Sequence, residues 1–282
     1  MYTLSVKNNR DETLILTNNP DYIVYKIDGL TPPQVNVNST VNSTTDGVII
    51  NSARVDKRNI VIYLTIEGDV ETNRLNLYKY FPLKKTISLY FKNGTRDVYI
   101  EGAVELIECD LFANKQVAQI SIICPKTYFK SVNSLIYEFN SNNALFSFPF
   151  SIPAEGIEFS SMNSNVRETI INTGDVETGL IIDIHVGGTV VNPVIYDVLN
   201  KTAFKLNYTL KASDHVVVNT NVGAKSVYLI RDGVTTNMIG YMAKDSKWLE
   251  LAVGDNIFTY SADSGIDNIS LSFSTPLLYS GV

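Results

Sequence analysis

The chain has 282 residues and a mass of 31.3 kDa, room for one large domain or two ordinary ones. It is 45% hydrophobic and only 18% charged, with 28 asparagines against three glutamines, a balance that favours turns and strands over long helices. A net charge of −6 and a pI of about 5.0 exclude a general nucleic-acid clamp. No apolar run approaches the roughly 18–20 residues of a membrane span, and no basic region followed by an apolar one marks a secretion signal after Met1. The first strand signals are Tyr2 to Lys7, Thr13 to Thr17 and Tyr22 to Ile27. Residues 31–46, polar and nearly uncharged around Pro32-Pro33 and the Asn38 to Thr45 run, read as an exposed loop or as an arm that orders on a partner. Val48 to Val55 and Ile60 to Glu67 read as a hairpin about Asp56-Lys57-Arg58-Asn59, with Ile60, Ile62, Leu64 and Ile66 on one apolar face.

One helix is predicted over residues 69–81. Asp69 is its N-cap, Glu71 lies in the first turn, Lys79 lies near the carboxyl end, and Pro82 ends it. Val70, Leu77, Tyr78 and Phe81 share a face that is expected to cover a sheet. Asn93-Gly94, flanked by Ile87, Leu89 and Phe91 before it and Val98 and Ile100 after it, predicts a type I′ hairpin. Val117 to Cys124 adds a strand that Pro125 stops. These elements make a unit of about 130 residues.

From Ser131 to Asn143 the chain turns rich in Asn and Ser. Phe146, Phe148, Pro149, Phe150 and Pro153 follow, so residues 131–150 are placed as a linker. Beyond it strand-like runs recur at about ten-residue spacing: Glu168–Asn172, Leu180–Val186, Val194–Val198, Ala203–Leu210, His215–Asn219, Ser226–Arg231, Trp248–Val253, Asn256–Ser261 and Ile269–Ser274. That rhythm points to an antiparallel jelly-roll β-sandwich over residues 151–282.

Chemistry-bearing residues are scarce. Cys109 and Cys124 admit a disulfide, but buried reduced thiols are the favoured reading. His185 lies in an apolar run and His215 follows Asp214 in a turn; neither has a second His or a Cys nearby in sequence, so a zinc site is not expected. Glu155 with Glu158 and Asp263 with Asp267 are conceivable carboxylate pairs, yet all four sit in turn-like segments and read as solvated charge. Trp248 with Tyr241 and Tyr260 would suit a sugar platform, but the Trp248-Leu249-Glu250-Leu251 pattern favours core packing. Lys57-Arg58, Lys84-Lys85 and Arg96 place positive charge at turns, interleaved with Asp56, Asp97 and Glu101, as on a solvated or inter-subunit surface. Six Asn-x-Ser/Thr triplets, at Asn38, Asn42, Asn93, Asn200, Asn207 and Asn268, follow from the composition. No catalytic, cofactor-binding or metal residue is assigned, and no cofactor is expected.

Several stretches, in order, resemble the distal tail protein family of long-tailed bacteriophages. They are Gly68 to Phe81, Leu89-Tyr90-Phe91-Lys92-Asn93-Gly94, Val98-Tyr99-Ile100-Glu101-Gly102 and Ala118 to Pro125. In the second half they are Asn172-Thr173-Gly174-Asp175-Val176-Glu177-Thr178-Gly179, Asn192-Pro193-Val194-Ile195 and Leu251-Ala252-Val253-Gly254-Asp255-Asn256. Residues 31–46 and 131–150 match least. The resemblance implies a mainly β protein: an N-terminal β-sandwich or split-barrel domain (1–130) carrying the one helix, and a galectin-like C-terminal sandwich (151–282) used for docking. It implies a structural virion protein and no enzyme. The N-terminal domain would form a homo-hexameric ring at the distal end of the tail, joined to the tail tube protein, to the tail-associated hub or lysin protein, and to side fibres or a receptor-binding protein. DNA would pass through the ring lumen without specific binding, and no membrane is involved. Two alternatives stand beside it: a carbohydrate-binding adhesion module on an assembly domain, and a wall-degrading glycosidase.

Overall fold

The computed structural model describes residues 2–44, 46–139, 142–144, 160–162 and 167–282. It divides into two compact units, residues 1–133 with 278–282, and residues 134–277. Both are built from antiparallel strands, and a single α-helix occurs among the described residues. No described helix is long and apolar enough to cross a membrane.

The first unit opens with β1 (Thr3–Lys7), β2 (Thr13–Ile15) and β3 (Tyr22–Asp28). Next come β4 (Val35–Val41), β5 (Val48–Val55) and β6 (Arg58–Ile66), then α1 (Val70–Tyr80). It continues with β7 (Thr86–Lys92), β8 (Asp97–Cys109), β9 (Val117–Cys124) and the start of β10 (Phe129–Phe139). β8 organises the sheet. Its first half pairs with β7, its second half with β9, and a register shift between Val104 and Leu106 falls within the second pairing. From β7 the sheet runs on to β1 and β2, and from β9 to β6 and β3. The alternating residues Leu4, Val6, Ile60, Ile62, Leu64, Ile87, Leu89, Ile100, Ile120 and Ile122 meet in one core. Gly102 lies where strands crowd: a Cβ there would sit 2.7 Å from Ile122 Cγ2 and 2.9 Å from both Cys124 Sγ and the Ile123 carbonyl oxygen.

The helix forms where its caps predict. The Asp69 carboxylate accepts from the Thr72 hydroxyl at 2.8 Å, and the Phe81 N–H closes the far end on the Leu77 carbonyl. Its inner face differs from the periodic reading. Leu77 and Phe81 are buried, but Tyr78 is exposed, and the buried polar member is Asn73. Asn73 earns that place by hydrogen bonds: its amide donates to the Glu67 carbonyl at 2.9 Å, while its own carbonyl accepts from the Tyr22 hydroxyl at 2.9 Å.

Two turns depart from expectation. Neither Asn93 nor Gly94 has positive φ, so the hairpin is not type I′. Lys92 pairs with Asp97 instead, and the Asn93 side chain caps a four-residue loop by accepting from the N–H groups of Thr95 and Arg96 at 2.9 and 2.8 Å. The supposed hairpin between residues 48–55 and 60–67 is absent. β5 pairs with β4, drawing residues 35–41 out of the expected loop, while β6 is taken by β3 and β9. Ile60, Ile62, Leu64 and Ile66 of β6 are buried in the core, whereas every residue of β5 but Val55 is exposed.

Arg58, at the head of β6, is 3% exposed. Its guanidinium donates to four backbone carbonyls: Thr127 at 2.7 Å, Gly29 at 2.5 Å, Thr31 at 2.9 Å and Ser280 at 2.6 Å. It also lies over the Phe129 ring, 4.6 Å from the centroid. Burial lowers its pKa, but a guanidinium stays charged. Arg96 donates to the Gly281 carbonyl and covers the Tyr279 ring, and the Val282 N–H reaches the Leu30 carbonyl at 3.1 Å. Residues 278–282, grouped by sequence position with the second domain, therefore belong to the first unit. Arg58 and Arg96 are structural ties here, unlike the exposed Lys57, Lys84 and Lys85.

In the second unit, β11 (Asn142–Ala144) pairs with β12 (Ser160–Met162). The strands that follow are β13 (Arg167–Asn172), β14 (Thr178–Gly179), β15 (Ile181–Val186), β16 (Val190–Val191), β17 (Val194–Asp197), β18 (Thr202–Lys205) and β19 (Thr209–Leu210). The rest are β20 (His215–Asn219), β21 (Ser226–Arg231), β22 (Val234–Asn237), β23 (Glu250–Leu251), β24 (Gly254–Ser261) and β25 (Ile269–Tyr279). One sheet runs β25–β15–β20–β21–β22 and a second runs β13–β24–β17–β18. Ile182, Ile184, Val216, Val218, Leu271 and Phe273 from the first share a core with Ile170, Ile195, Phe204 and Phe258 from the second. Phe139, at the end of β10, packs on Phe273 with ring centroids 4.7 Å apart.

Two buried asparagines join the strand ends. Asn172 donates to the carbonyls of Val176 and Leu251, both at 3.1 Å, and accepts from the Gly174 N–H at 2.8 Å. Asn256 accepts from the Ala252 N–H at 2.9 Å and donates to the Ala252 and Gly254 carbonyls at 2.8 and 2.9 Å, with a longer bond to Ile170 at 3.4 Å. The Asn172–Gly179 and Leu251–Asn256 stretches, far apart in sequence, thus brace each other.

Arg58→Met keeps the bulk of the side chain and leaves four carbonyls without their donor, so it is expected to cost about 3 kcal/mol or more in urea unfolding of the first unit. Gly102→Ala forces β8 away from β9 and is expected to cost about 1–3 kcal/mol in the same measurement.

Candidate functional site

β4 and β5 form a two-stranded ribbon that pairs with no other strand. Directly opposed residues share a face. Val35 opposes Val55, Val37 opposes Ala53, Ser39 opposes Ile50 and Val41 opposes Val48, which collects seven apolar side chains on one face. The other face carries Asn36, Arg54, Asn38, Ser52 and Thr40, with Ile49 as its apolar exception. Every residue of both strands but Val55 is exposed, and Val41 and Ile50 reach 76% and 64%. Polar contacts hold the ribbon internally: Asn51 donates to the Thr40 hydroxyl at 2.5 Å, Arg54 pairs with Asp56 at 2.8 Å, and Asn36 donates to Asp56. An isolated pair of strands is marginal in water, and this one also leaves an apolar face and two edges uncovered. Such a surface is suited to association. The sequence shows β5 as a strand but hides its partner, because residues 35–41 carry Asn at alternate positions.

The outer face of the second unit holds a different cluster. Asp183 and His185 project from β15 on the side away from the core, and His215 stands directly opposite His185 on β20. The two imidazoles stack with centroids 4.0 Å apart and planes 16° apart, and His215 Nε2 lies 2.8 Å from Asp183 Oδ1. The ligand atoms of the three side chains lie within 4.8 Å of one another. Thirty positions of sequence separate the two histidines; strand pairing unites them. Neighbouring Asp214 is 1% exposed. It receives Arg231 bidentately at 2.6 Å on both oxygens and accepts from the Lys211 N–H at 2.7 Å. The Arg231 hydrogen bond holds its carboxyl below the usual range against the cost of burial.

The other candidate groups do not converge. Trp248 is half-buried and packs toward Phe204, Tyr241 meets Tyr208 edge-on, and Tyr260 is buried in the core beside Phe139. The three rings make no shared platform. Asp263 accepts from Asn192 at 2.7 Å, and Glu155 and Glu158 lie outside the described residues. Cys109 and Cys124 are free thiols, and burial pushes the Cys124 thiol up to about 11, which leaves it unreactive near neutral pH.

Residues 173–275 match the family model of the siphovirus-type tail component, C-terminal domain. Over that stretch the chain is similar to a phage tail component. No curated protein matches it in sequence. Among solved structures, the Dit protein (gp 19.1) of phage SPP1, described as a paradigm of the hub adsorption apparatus in phages infecting Gram-positive bacteria, superposes with a TM-score of 0.68 at 11% identity, over 98% of this chain and 99% of that one. A chain of the phage p2 baseplate in its activated conformation with Sr gives 0.55 at 12% identity, covering 98% of each chain. The p2 baseplate with Ca gives 0.51 at 12% identity, over 97% of this chain and 98% of that one. The likeness is thus one of sequence pattern over residues 173–275 and one of fold over nearly the whole chain. The matched stretch contains Asn256, the Asp183–His185–His215 cluster and the Asp214–Arg231 pair. Asn256 falls in the quoted Leu251–Asn256 stretch, whereas the His185–His215 apposition and the Asp214–Arg231 pair depend on strands distant in sequence.

The Asp214 carboxyl titrates lower in the folded than in the unfolded state, so its stabilisation is complete above the unfolded value of about 3.9 and is lost as pH falls through the folded one. Asp214→Asn is expected to remove that acid-limb dependence and to cost about 2 kcal/mol at pH 7, read from urea melts at several pH values.

Proposed function

We propose that the chain is a structural protein of a phage tail tip or baseplate, and that its first unit closes into a ring of six copies at the distal end of the tail. In this reading the ring joins the tail tube to the tail-associated hub, and the second unit serves as the docking platform for a receptor-binding protein or side fibre. The observation that carries it is the ribbon. A one-sided apolar, charge-poor pair of strands suits a second copy of the same chain, since uncharged polar groups cost less to desolvate than ions. Each Val or Ile covered there contributes up to about 1.5–3 kcal/mol, enough for a neighbour to stabilise what water leaves marginal. Head-to-tail contact of this kind generates a closed ring when the rotation closes. The full-length fold likeness to Dit and the tail-component match support the same reading. In this reading the role is non-enzymatic, with the protein made in the host and carried in the virion.

Six copies at −6 each carry −36, so the ring would repel DNA passing through its lumen and is expected to show no salt-sensitive DNA binding. Replacing residues 35–55 with a short Gly-Ser connection is expected to reduce the ring to smaller species in native mass measurement and negative-stain images. An intact six-fold ring from that variant refutes the role given to the ribbon, and a wild-type protein that stays monomeric at high concentration refutes the ring itself.

A further inference from the structure

The two histidines of this chain stand opposite one another on adjacent strands, with a carboxylate touching one of them. We propose that Asp183, His185 and His215 form a binding site for a divalent transition-metal ion of the zinc type. The His185↔His215 pairing puts both imidazoles on the same side of the β15–β20 ladder, and Asp183, two residues before His185, projects from that side as well. Their ligand atoms already lie within 4.8 Å of one another. A tetrahedral ion with bonds of about 2.0–2.1 Å brings its ligands to about 3.4 Å apart, so the site needs side-chain rotation and no backbone movement. The side chains have that freedom, because His185 is exposed and the other two are half-buried.

The donor set selects the ion. Two imidazole nitrogens and one carboxylate oxygen suit zinc, nickel or copper, whereas calcium and magnesium require mostly oxygen ligands. Exposure leaves the remaining coordination position to water. The two rings stack with centroids 4.0 Å apart, so a single ion can take a lone pair from a nitrogen of each. The groups facing the cluster are uncharged. Ser270 and Ser272 on β25 oppose His185 and Asp183, and Val217 on β20 and Ile230 on β21 lie on the other side. Bound metal would pin β15 to β20, the central strands of the sheet. This site is independent of the ring reading, since it lies wholly within the second unit.

The test is calorimetric titration of the full-length protein, free of any polyhistidine tag, with zinc chloride, repeated with calcium chloride. The expected result is saturable uptake of one zinc ion per chain, no uptake of calcium at the same concentrations, and a rise in unfolding temperature with zinc. His185→Ala and His215→Ala are each expected to weaken zinc binding by about 100-fold and Asp183→Asn by about 10-fold, and the exposed His185→Ala is expected to leave the metal-free unfolding temperature unchanged. Copper loaded in place of zinc is expected to show two coordinated imidazole nitrogens by electron paramagnetic resonance. Absence of saturable zinc uptake overturns the proposal. So does uptake that survives in the doubly substituted His185→Ala, His215→Ala protein, or calcium binding of equal strength.

Discussion

The first unit turns on one buried cation. Arg58 binds no carboxylate; it binds four carbonyl groups from three separate stretches of chain, at Gly29 and Thr31, at Thr127, and at Ser280. Each carbonyl belongs to a connection that has left a strand. A guanidinium suits that task because its planar fork presents several donors in fixed directions, which an ammonium does not. Its charge is balanced by oriented backbone dipoles and the Phe129 face, so the unit fastens three chain segments without burying an ion pair.

That fastening has a consequence for the ribbon. Gly29 and Thr31 lie just before β4, and Arg58 itself follows β5 by three residues, so both roots of the ribbon are tied at one point. Thr127 adds a second tie, its hydroxyl donating to the Asp56 carbonyl at 2.7 Å. The ribbon therefore leaves a rigid base and is unsupported beyond it. Fixing the roots while leaving the apolar face bare lowers the ordering entropy that a partner must offset on binding. The same argument explains why residues 31–46 read as a loop from composition. Their strand character comes from β5 opposite, and Val35, Val37, Val41, Val48 and Ile50 remain exposed.

Much of the fold was legible in the sequence, and the failures share a physical cause. The strands at 22–28, 117–124, 215–219 and 226–231 and the capped helix emerge from local pattern because each buries one face on its own core. The Asn93-Gly94 turn misled because an Asn side chain can satisfy a loop in two ways, by adopting positive φ or by accepting from the following N–H groups; here it does the second. Strand β10 was hidden by its Asn- and Ser-rich stretch, which reads as linker, and much of that stretch is exposed. Pairing is what sequence spacing conceals most. The β4–β5 partnership, the carbonyls that Arg58 gathers, and the His185–His215 apposition all depend on register between strands and not on any neighbour in the chain.

The asparagine content, the most unusual number in the composition, resolves in the same terms. Asn73, Asn172 and Asn256 are buried, and each binds backbone groups that a turn or strand end has left without a partner. An amide serves there because it offers donors and acceptors together without a charge to desolvate. Glutamine has the same chemistry on a longer and more mobile stem, and loses more rotamer freedom when held. On the ribbon the same residue type does the opposite job. Asn36 and Asn38 sit in water, keeping one face of a bare pair of strands polar while the other stays apolar. A single composition thus supports two tasks, closing loops inside each unit and directing association outside them. The tasks separate only once burial is known: Asn73, Asn172 and Asn256 satisfy backbone groups inside, and the exposed Asn36 and Asn38 keep one face of the ribbon polar.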